Sequence, residues 1–306
     1  MQAFKPAGLT ALRILAVVLA GGALAPAAGA AAPCRAAATA RVPCLSHVVV
    51  IVFENRSYGQ VIGSAQAPTF NRLARSGALL TRYYGVAHPS LPNYLAMVSG
   101  STHGVTTDCI VCSVRARNLA DQLDTAGRSW KVYAEGLPAT GFAGPQSGRY
   151  VKRHNPFMYF AGISASPARR AHVVALTRLR GDVAAGRLPA FSLVVPDLCH
   201  DMHDCPVASG DAWLRRILPV LRPAGAAVFI VFDEGAVTDT AGGGGHIPAL
   251  VGGPAVRAGA RSSAVLTHYS LLRTIEDTWR LPHLGRSIAA APITGIWRRP
   301  PMGSGP

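Results

Sequence analysis

Long runs of purely apolar residues constrain this chain more than any other feature. Residues 48–53 read Val-Val-Val-Ile-Val-Phe, and residues 226–232 are apolar throughout. A strand with one face in water alternates apolar and polar residues, so continuous runs are typical of parallel strands buried on both faces. Shorter runs predict further strands at residues 78–83, 130–134, 190–195 and 247–252. A sheet built from such strands needs a covering layer on each face.

Helical patterns separate these apolar runs. Amphipathic spacing and typical start and stop residues predict helices at residues 68–77, 94–99, 118–126, 171–185, 210–220 and 269–278. Strands that alternate with helices favour the α/β class, as an α/β/α sandwich around a mostly parallel central sheet. We expect a single domain over residues 31–306, in which residues 137–165 are rich in loops.

The first 30 residues have the composition of a secretory signal peptide. Lys5 and Arg13 precede an apolar run over residues 14–25, and Ala28-Gly-Ala30 supplies the small residues after which signal peptidase cleaves. A membrane anchor is the alternative, but the run is shorter than the roughly 20 residues that span a bilayer. We therefore predict that residues 1–30 are removed and that the protein is secreted.

Six cysteines fit an exported protein, because disulfides persist in oxidising compartments. They occur as three close pairs along the sequence: Cys34 with Cys44, Cys109 with Cys112, and Cys199 with Cys205. Many connectivities are possible, and we favour the local one because each pair brackets a short loop. The alternative is a structural zinc site built from the two later pairs.

The formal net charge of +15 attracts anions such as phosphate esters and anionic lipids. Nucleic acid is another anionic ligand, but the arginines are scattered, and no basic tract with interleaved aromatic residues occurs. We therefore expect no specific nucleic-acid partner. Nothing in the sequence indicates an obligate partner subunit, so we expect a monomer.

Acidic residues directly follow three of the predicted strands. Glu54 and Asn55 follow the first strand, and Asp197 and the pair Asp233-Glu234 follow two later ones. Ligands of open α/β sheets bind outside the carboxyl ends of the strands, so we expect these groups to meet at one edge. A cation would relieve the repulsion between them, and oxygen-rich ligand sets suit hard divalent metals. For any one group, a helix cap or a solvated side chain is the alternative.

Ser90 lies between two prolines after the second predicted strand, where a stiff turn can present a hydroxyl group to a site. Taken alone, a serine in such a loop is more often only a turn residue. The surrounding segment reads His88-Pro-Ser-Leu-Pro-Asn-Tyr-Leu-Ala-Met-Val-Ser-Gly100 and is followed by Thr102-His-Gly104. It resembles the nucleophile segment of the alkaline phosphatase superfamily.

Further motifs in order along the chain make the resemblance more specific. They are Phe53-Glu-Asn-Arg-Ser-Tyr58, Lys152-Arg-His-Asn-Pro-Phe157, Asp201-Met-His-Asp204, Phe232-Asp-Glu-Gly235 and the segment from His268 to Asp277. Over about residues 46–297 the chain resembles the bacterial phosphoesterase family, which contains secreted acid phosphatases and phosphatidylcholine-type phospholipases C. It resembles in particular the secreted acid phosphatases that act on phosphatidylinositol 3-phosphate.

The resemblance implies a role for each matching residue. Ser90 is the expected nucleophile, and His203 is a second catalytic candidate. The expected metal ligands are Glu54, Asn55, Asp201, Asp233, Glu234 and His246. The expected substrate-binding residues are Asn93, Lys152 and His154, and the Asn93 amide would bind a phosphoryl oxygen. Two-zinc members have Asp-His where this chain has Asp233-Glu234, so the resemblance leaves open whether one or two divalent ions bind.

The function implied by the resemblance is that of a secreted, metal-assisted phosphomonoesterase, an acid phosphatase that forms a phosphoserine intermediate. Its substrates would be phosphate esters, including phosphoinositide head groups at a membrane surface. The nearest alternative is a phospholipase C-like phosphodiesterase on the same fold. A secreted protein that binds phosphate or lipid without turnover is another. We further expect His268 to support the fold or the edge of the site.

Overall fold

The structure of the chain is a computed structural model that describes residues 1–3 and 41–298. Most of the predicted signal peptide lies outside these residues, so its cleavage and the division into residues 1–30 and 31–306 remain predictions. Within the described residues, no helix is long and apolar enough to cross a bilayer.

A large mixed sheet forms the centre of the described chain. The strands are β1 (Val48–Phe53), β2 (Ala78–Leu80), β3 (Tyr83–Tyr84), β4 (Trp130–Ala134), β5 (Gln146–Ser147), β6 (Tyr150–Val151), β7 (Val173–Ala175), β8 (Phe191–Val195), β9 (Ala227–Phe232), β10 (Ala249–Gly252), β11 (Ala260–Ser262) and β12 (Leu266–Thr267). Eight of them form one sheet in the order β11-β2-β10-β9-β1-β8-β4-β7. Among these described strands, β10 alone runs antiparallel to its neighbours. The prediction of a mostly parallel sheet is confirmed.

Helices flank this sheet. They are α1 (Tyr58–Val61), α2 (Pro68–Ser76), α3 (Ser90–Ser99), α4 (Leu119–Thr125), α5 (Ala161–Ser164), α6 (Pro167–Arg170), α7 (Arg178–Ala184), α8 (Val207–Leu221) and α9 (His268–Trp279). Short 3₁₀ helices cover Lys152–His154, Pro156–Tyr159, Arg222–Ala224, Ala241–Gly243 and Gly285–Ala289. Helices α2, α7 and α8 pack in one group, and α3, α4 and α9 pack in another. The prediction of an α/β fold is confirmed.

Strand β1 occupies the middle of the sheet and positions the site. It pairs in parallel with β8 on one side and with β9 on the other. Every residue of β1 and β9 is buried, as the continuous apolar runs predicted. The register pairs Phe53 with Phe232, the last residues of the two strands. Residues 54 and 233 therefore follow at the same level of the sheet.

The predicted helix over residues 171–185 is wrong in its first part. Val173–Ala175 form edge strand β7, which pairs with β4, and α7 begins only at Arg178. Val173 and Val174 favour a strand because β-branched side chains lose rotamer freedom in a helix. An open sheet edge beside β4 supplies the pairing partner that sequence periodicity does not reveal.

Helix α3 begins at Ser90, one turn earlier than predicted. Pro92 lies in its first turn, where the missing N–H costs no intrahelical hydrogen bond. The helix ends at Gly100, which has a left-handed φ of 71°. A Cβ atom there would collide with the Leu284 carbonyl group. Glycine is therefore required to end the helix that carries Ser90.

Disulfides join Cys109 to Cys112 and Cys199 to Cys205. These bonds confirm two of the predicted local pairs and exclude the zinc alternative, because the same four sulfur atoms cannot also bind a structural ion as thiolates. Cys44 is also disulfide-bonded, and its predicted partner, Cys34, lies outside the described residues.

Candidate active site

The ends of β1 and β9 bring two carboxyl groups side by side. Because Phe53 pairs with Phe232, Glu54 and Asp233 are neighbours at the sheet edge. The Asn55 N–H donates to Asp233 Oδ1 over 3.2 Å, and the Asp233 N–H donates to the Phe53 carbonyl oxygen over 2.9 Å. Asn55 adopts a left-handed φ of 55°, which asparagine tolerates better than most residues. The strand register thus produces the predicted convergence.

Ser90 occupies the first position of α3 and faces these carboxyl groups. Its Oγ donates to Glu54 Oε2 over 2.9 Å. Burial raises the pKa of Asp233 and Glu234, whereas hydrogen bonds from Ser90 act in the opposite direction. Tyr94 Oη donates to Glu54 Oε1 over 2.6 Å. Residues four apart share a helix face, so α3 presents both hydroxyl groups to one carboxylate.

His154 connects Glu54 with Asp201. Its buried ring places Nε2 3.3 Å from Glu54 Oε1 and Nδ1 3.1 Å from Asp201 Oδ2. The Glu54 N–H donates to the Asp201 carbonyl oxygen over 2.8 Å, and the His203 N–H donates to Asp201 Oδ1 over 2.8 Å. These contacts assemble a buried group of Glu54, His154 and Asp201, which we call the central group.

Burial dominates the ionisation of the side chains around the central group. It raises the pKa of Glu54 well above its ordinary value, and the charges of Asp233 and Asp201 raise it further. Burial likewise raises the pKa of Asp201 to about 8, of Asp233 to about 7 and of Glu234 to about 9. It lowers the pKa of His154 well below its ordinary value, so this ring is neutral. Among the described residues, no lysine or arginine is bonded to any of these carboxyl groups.

The polar atoms of the central group suit a divalent cation. His154 Nε2, Asp201 Oδ2 and the neighbouring Asp233 Oδ2 are buried and make no hydrogen bond of good geometry in the described chain, although His154 lies close to both Glu54 and Asp201. Buried polar atoms are normally satisfied. A neutral imidazole nitrogen and carboxylate oxygens are the donors that zinc and related divalent ions take in proteins. Glu54, His154 and Asp201 therefore fit a metal ion, and Asp233, which follows the neighbouring strand, is a further candidate ligand.

A second group of acidic residues and histidine lies beside the first. Glu135 Oε2 accepts the Asp197 N–H over 3.1 Å and lies 2.9 Å from His200 Nδ1. The Asp197 carbonyl oxygen accepts the Asp201 N–H over 2.8 Å, which links the two groups. Glu135, Asp197 and His200 are only half-buried. Their polar atoms also satisfy one another, unlike those of the central group.

His203 lies at the rim of the central group. Its ring centroid is 6.0 Å from that of His154. Its Nδ1 lies 2.6 Å from Asp204 Oδ1, and its Nε2 lies 3.3 Å from Arg153 Nη2. The ring is partly exposed. The structure thus brings this catalytic candidate next to the buried residues.

Asn93 supports the loop before Ser90 and does not face the site. Its Oδ1 accepts the N–H groups of Val86 and Ala87, and its Nδ2 donates to the carbonyl oxygens of Ala87 and Pro89. These bonds use the full capacity of a side-chain amide. In this arrangement none is left for the phosphoryl oxygen that the resemblance assigned to Asn93.

His246 and Lys152 are not brought to the carboxyl groups either. His246 Nε2 lies 3.0 Å from the Thr81 carbonyl oxygen, and its ring stacks on Tyr58 with centroids 4.5 Å apart. It belongs to neither group of possible metal ligands in the described residues. Lys152 Nζ donates to the Ile110 carbonyl oxygen over 2.5 Å. The arrangement gives His246 a packing role and gives Lys152 a role in fixing a neighbouring loop.

Two histidines fix the Asp233-Glu234 pair. His88, which sequence reasoning left unassigned, places Nδ1 2.9 Å from Glu234 Oε2 and Nε2 2.9 Å from the Asp239 carbonyl oxygen. His268 lies with Nε2 against the Asp233 carbonyl oxygen, in agreement with its expected supporting role. Only the position of His88 two residues before Ser90 signalled its part in the site.

Asp108 and Arg153 form a further pair beside α3 that sequence reasoning missed. Asp108 Oδ1 accepts the Leu91 N–H over 3.0 Å, and Oδ2 lies 3.6 Å from Arg153 Nε. Arg153 is therefore close to the N-terminus of α3, where backbone N–H groups and the helix dipole favour anions. The only feature of the sequence that pointed to Arg153 was its position between Lys152 and His154. Tyr94 was also missed, because the sequence did not predict that α3 begins at Ser90 and therefore places Tyr94 on the same helix face.

Known proteins similar to the chain identify its family. The Phosphoesterase family matches residues 64–282. The chain is 35% identical over 292 residues to the phosphatidylinositol-3-phosphatase of Mycobacterium tuberculosis, which covers 93% of this chain and 94% of that relative. It is 33% identical over 230 residues to the phosphate-repressible acid phosphatase of Penicillium chrysogenum, which covers 71% of this chain. The chain spans only 55% of the length of that fungal relative.

A solved structure of a protein in the alkaline phosphatase superfamily from Vibrio parahaemolyticus has the same fold. It superposes with a TM-score of 0.57 over 83% of this chain and 72% of that one, at 13% sequence identity. The likeness confirms the predicted alkaline-phosphatase-like fold. Because the family match extends over most of the residues and is joined by similarity along nearly the whole sequence, the chain belongs to the Phosphoesterase family.

Proposed function

We propose that the chain is a secreted phosphatase that hydrolyses phosphate monoesters through a phosphoserine intermediate on Ser90. The observation that carries the proposal is the position of Ser90 Oγ, at the N-terminus of α3 and 2.9 Å from Glu54 Oε2. Membership of the Phosphoesterase family agrees with the predicted hydrolysis of phosphoric esters. Both relatives described above are named as phosphatases.

The reaction consists of two transfers at phosphorus. In the first, Ser90 Oγ forms a bond to phosphorus while the ester P–O bond breaks. Glu54 accepts the proton of the Ser90 hydroxyl, to which it is already hydrogen-bonded. In the second, His203 takes one proton from a water molecule whose oxygen bonds to phosphorus, the bond to Ser90 breaks, Glu54 returns its proton to Ser90 Oγ, and hydrogen phosphate leaves.

Two rim residues assist these transfers. His203 lies on the partly exposed side of the site, where a protonated imidazole can donate its proton to the departing alcohol. Such donation is favoured in mildly acidic solution, in keeping with an acid phosphatase. Arg153, close to the N-terminus of α3, would pair with phosphoryl oxygens.

The metal centre of the proposal consists of Glu54, His154, Asp201 and Asp233, whose buried polar atoms include several without a partner in the described chain. A divalent ion held there would neutralise phosphoryl charge and lower the pKa of a nearby hydroxyl group. Asn55 lies beside these residues and orients Glu54 and Asp233 through hydrogen bonds, whereas Glu234, which follows Asp233, is held by His88.

Phosphoinositide head groups are the substrates that we favour. One relative, similar along nearly its whole length, is named a phosphatidylinositol-3-phosphatase. The net charge of +15 would raise the local concentration of such anionic lipids. Secretion is supported by the composition of residues 1–30 and by the disulfides of the described chain.

Hydrolysis of p-nitrophenyl phosphate before and after chelation tests the proposal. We expect turnover to be lost with a chelator and restored by one added divalent ion among zinc, manganese, magnesium and calcium. Faster turnover of p-nitrophenyl phosphocholine, a diester, would favour the phospholipase C-like alternative. Phosphate binding by the metal-loaded protein without turnover of either ester would identify a binding protein and overturn the proposal.

A further inference from the structure

Two adjacent apolar side chains project from a loop near the site. Ile110 is 58% exposed and Val111 is 89% exposed. Both lie between Cys109 and Cys112, which are joined by a disulfide. A bridge across so few residues prevents the two side chains from folding back to the core. Isolated exposed apolar residues are common, but an adjacent pair held outward by a covalent bond is not explained by the fold.

This loop tip is hydrogen-bonded to α3, the helix that begins at Ser90. Asp108, next to the disulfide, accepts the Leu91 N–H over 3.0 Å, and Leu91 follows Ser90. Lys152 Nζ donates to the Ile110 carbonyl oxygen over 2.5 Å and fixes the other side of the tip. The exposed side chains therefore stand at the rim of the site.

A third exposed apolar residue lies on another loop of the same rim. Val237 is 81% exposed and follows the Asp233-Glu234 pair by only a few residues. Its loop is fixed where the Asp239 carbonyl oxygen accepts from His88 Nε2 over 2.9 Å. His88 precedes Ser90 by two residues, so both loops attach to the segment that begins α3.

Cationic side chains accompany the apolar tip. Arg115 and Arg117 are exposed, and neither makes an ion pair within the described chain. Arg115 follows Val111 by four residues, so their Cα atoms lie no more than about 14 Å apart. With Lys152 they place three positive charges near the apolar tip, where the carboxylate of Asp108 is paired with Arg153.

Apolar side chains flanked by basic residues are the features by which proteins bind the interface of an anionic membrane. A protein partner would require a contiguous apolar patch, whereas these side chains stand on separate loop tips. Separate tips can each enter the acyl boundary of a bilayer.

We propose that Ile110, Val111 and Val237, with Arg115 and Arg117, dock the chain on an anionic lipid surface with the site facing the head groups. The inference rests on the proposed function, because it names the surface from which the phosphate ester would be taken. Docking places Ser90 at the depth of the head groups without extraction of the lipid from the bilayer.

Vesicle sedimentation tests the proposal with the full chain. Vesicles of phosphatidylcholine alone are compared with vesicles that also contain phosphatidylinositol or phosphatidylserine. We expect binding to the anionic vesicles only. The double variant Ile110→Ser/Val111→Ser should bind them at least about tenfold more weakly, because burial of each aliphatic side chain contributes a factor of that order. Arg115→Gln/Arg117→Gln should weaken binding at low salt and make it less sensitive to added salt, because salt screens the attraction that this variant lacks.

Ile288→Ser is the matched control. Ile288 is 63% exposed but lies in the 3₁₀ helix that contacts Gly100, at the end of α3 remote from Ser90. It should bind vesicles as the unmodified chain does. Circular dichroism verifies that each variant is folded.

Catalysis and docking are separable in this design. Ser90→Ala should bind anionic vesicles normally, so failure of the proposed chemistry leaves the docking result intact. The loop-tip variants should hydrolyse a soluble aryl phosphate at an unchanged rate and lose only turnover on vesicles. Equal vesicle binding by the loop-tip double variant and the unmodified chain, or no binding by the unmodified chain, would overturn the proposal.

Discussion

Ser90 Oγ lies 2.9 Å from Glu54 Oε2, so the first residue of α3 is hydrogen-bonded to the carboxylate that directly follows the central strand β1. Replacement of Ser90 by alanine removes the oxygen that would bond to phosphorus. We expect Ser90→Ala to lower kcat for an aryl phosphate by about 10³-fold or more. The free energy of unfolding should fall by no more than about 1–3 kcal/mol, the usual cost of one lost hydrogen bond at a buried group, so the variant should remain folded.

Ser99→Ala is the control for this variant. Ser99 lies buried at the other end of the same helix, and its Oγ donates to the Leu95 carbonyl oxygen over 2.7 Å. Its loss should leave kcat within about threefold of the original, since it touches no site residue. If purified Ser90→Ala retained turnover close to that of Ser99→Ala, the hydroxyl would not be the nucleophile.

Tyr94→Phe tests whether α3 orients Glu54. Tyr94 Oη donates to Glu54 Oε1 over 2.6 Å, and a hydrogen bond to a charged group contributes about 1.5–3 kcal/mol. We expect kcat to fall roughly 10-fold to 100-fold, with the fold retained. Tyr133→Phe is the control, because Tyr133 Oη donates instead to Asp182 on α7. A similar loss of kcat in both variants would argue against a specific role for Tyr94.

The sequence was sufficient to predict which carboxyl groups meet. Glu54 and Asp233 follow two continuous apolar strands, and parallel pairing in register brings such residues together. Ser90 was predicted from its motif. The start of α3 at Ser90 was not predicted, because Pro92 is more typical of a loop than of a helix. The pattern of apolar strands is therefore enough to predict that Glu54 and Asp233 lie next to each other.

Side-chain partners could not be predicted in the same way. The resemblance gave Asn93 and His246 roles at the substrate and metal, yet in the structure their polar atoms bond to the backbone of the loops around residues 81–89. These contacts depend on how loops pack in three dimensions, which neither periodicity nor spacing records. His154 likewise reaches the site from a short 3₁₀ helix in a loop-rich segment without a regular pattern.

Asn93→Ala should reduce stability more than substrate affinity. The change leaves the N–H groups of Val86 and Ala87, both partly buried, without their acceptor and removes two further bonds to the loop. An unsatisfied group costs about 1–3 kcal/mol when it is fully buried. We expect the free energy of unfolding in urea to fall by about 2–4 kcal/mol. We expect KM for an aryl phosphate to change less than about threefold, because the Asn93 side chain bonds only to the loop backbone. A large rise in KM with unchanged stability would restore the substrate-binding role.

Asp201→Asn tests whether the metal ion binds to the central group or to the neighbouring group of Glu135, Asp197 and His200. Asp201 Oδ2 is buried without a hydrogen-bond partner in the described chain, so loss of its charge removes a candidate metal ligand. A bound ion stabilises the folded state by RT ln(1 + c/Kd), where c is the concentration of free ion, so tighter binding gives greater stabilisation. We expect added zinc or manganese to raise the Tm of the metal-free chain by several degrees, and this rise to be lost in Asp201→Asn.

Glu135→Gln is the comparison for Asp201→Asn, because Glu135 belongs to the half-buried group with Asp197 and His200. The metal-dependent rise in Tm should persist in Glu135→Gln. Metal content measured after dialysis gives the same comparison without reference to activity. Loss of the bound ion in Glu135→Gln but not in Asp201→Asn would place the metal in the other group.

Glu276 supplies a pH-dependent contribution to stability away from the site. Burial raises the pKa of this carboxyl group from 4.5 to about 7, while hydrogen bonds from Ser287 and the Leu284 N–H lower it in part. Between these two values the folded chain binds more protons than the unfolded chain. The free energy of unfolding therefore falls as pH rises through this window, by about 2–3 kcal/mol from this group.

Glu276→Gln removes the titration while it keeps the shape of the side chain. The other titrating groups are common to both proteins, so the difference between their unfolding free energies isolates Glu276. Measured in urea at pH 4.5, 6 and 7.5, this difference should favour the variant increasingly as pH rises, because only the original chain must bury a charged carboxylate. Parallel pH profiles for the two proteins would mean that the Glu276 carboxyl group titrates normally in the folded chain.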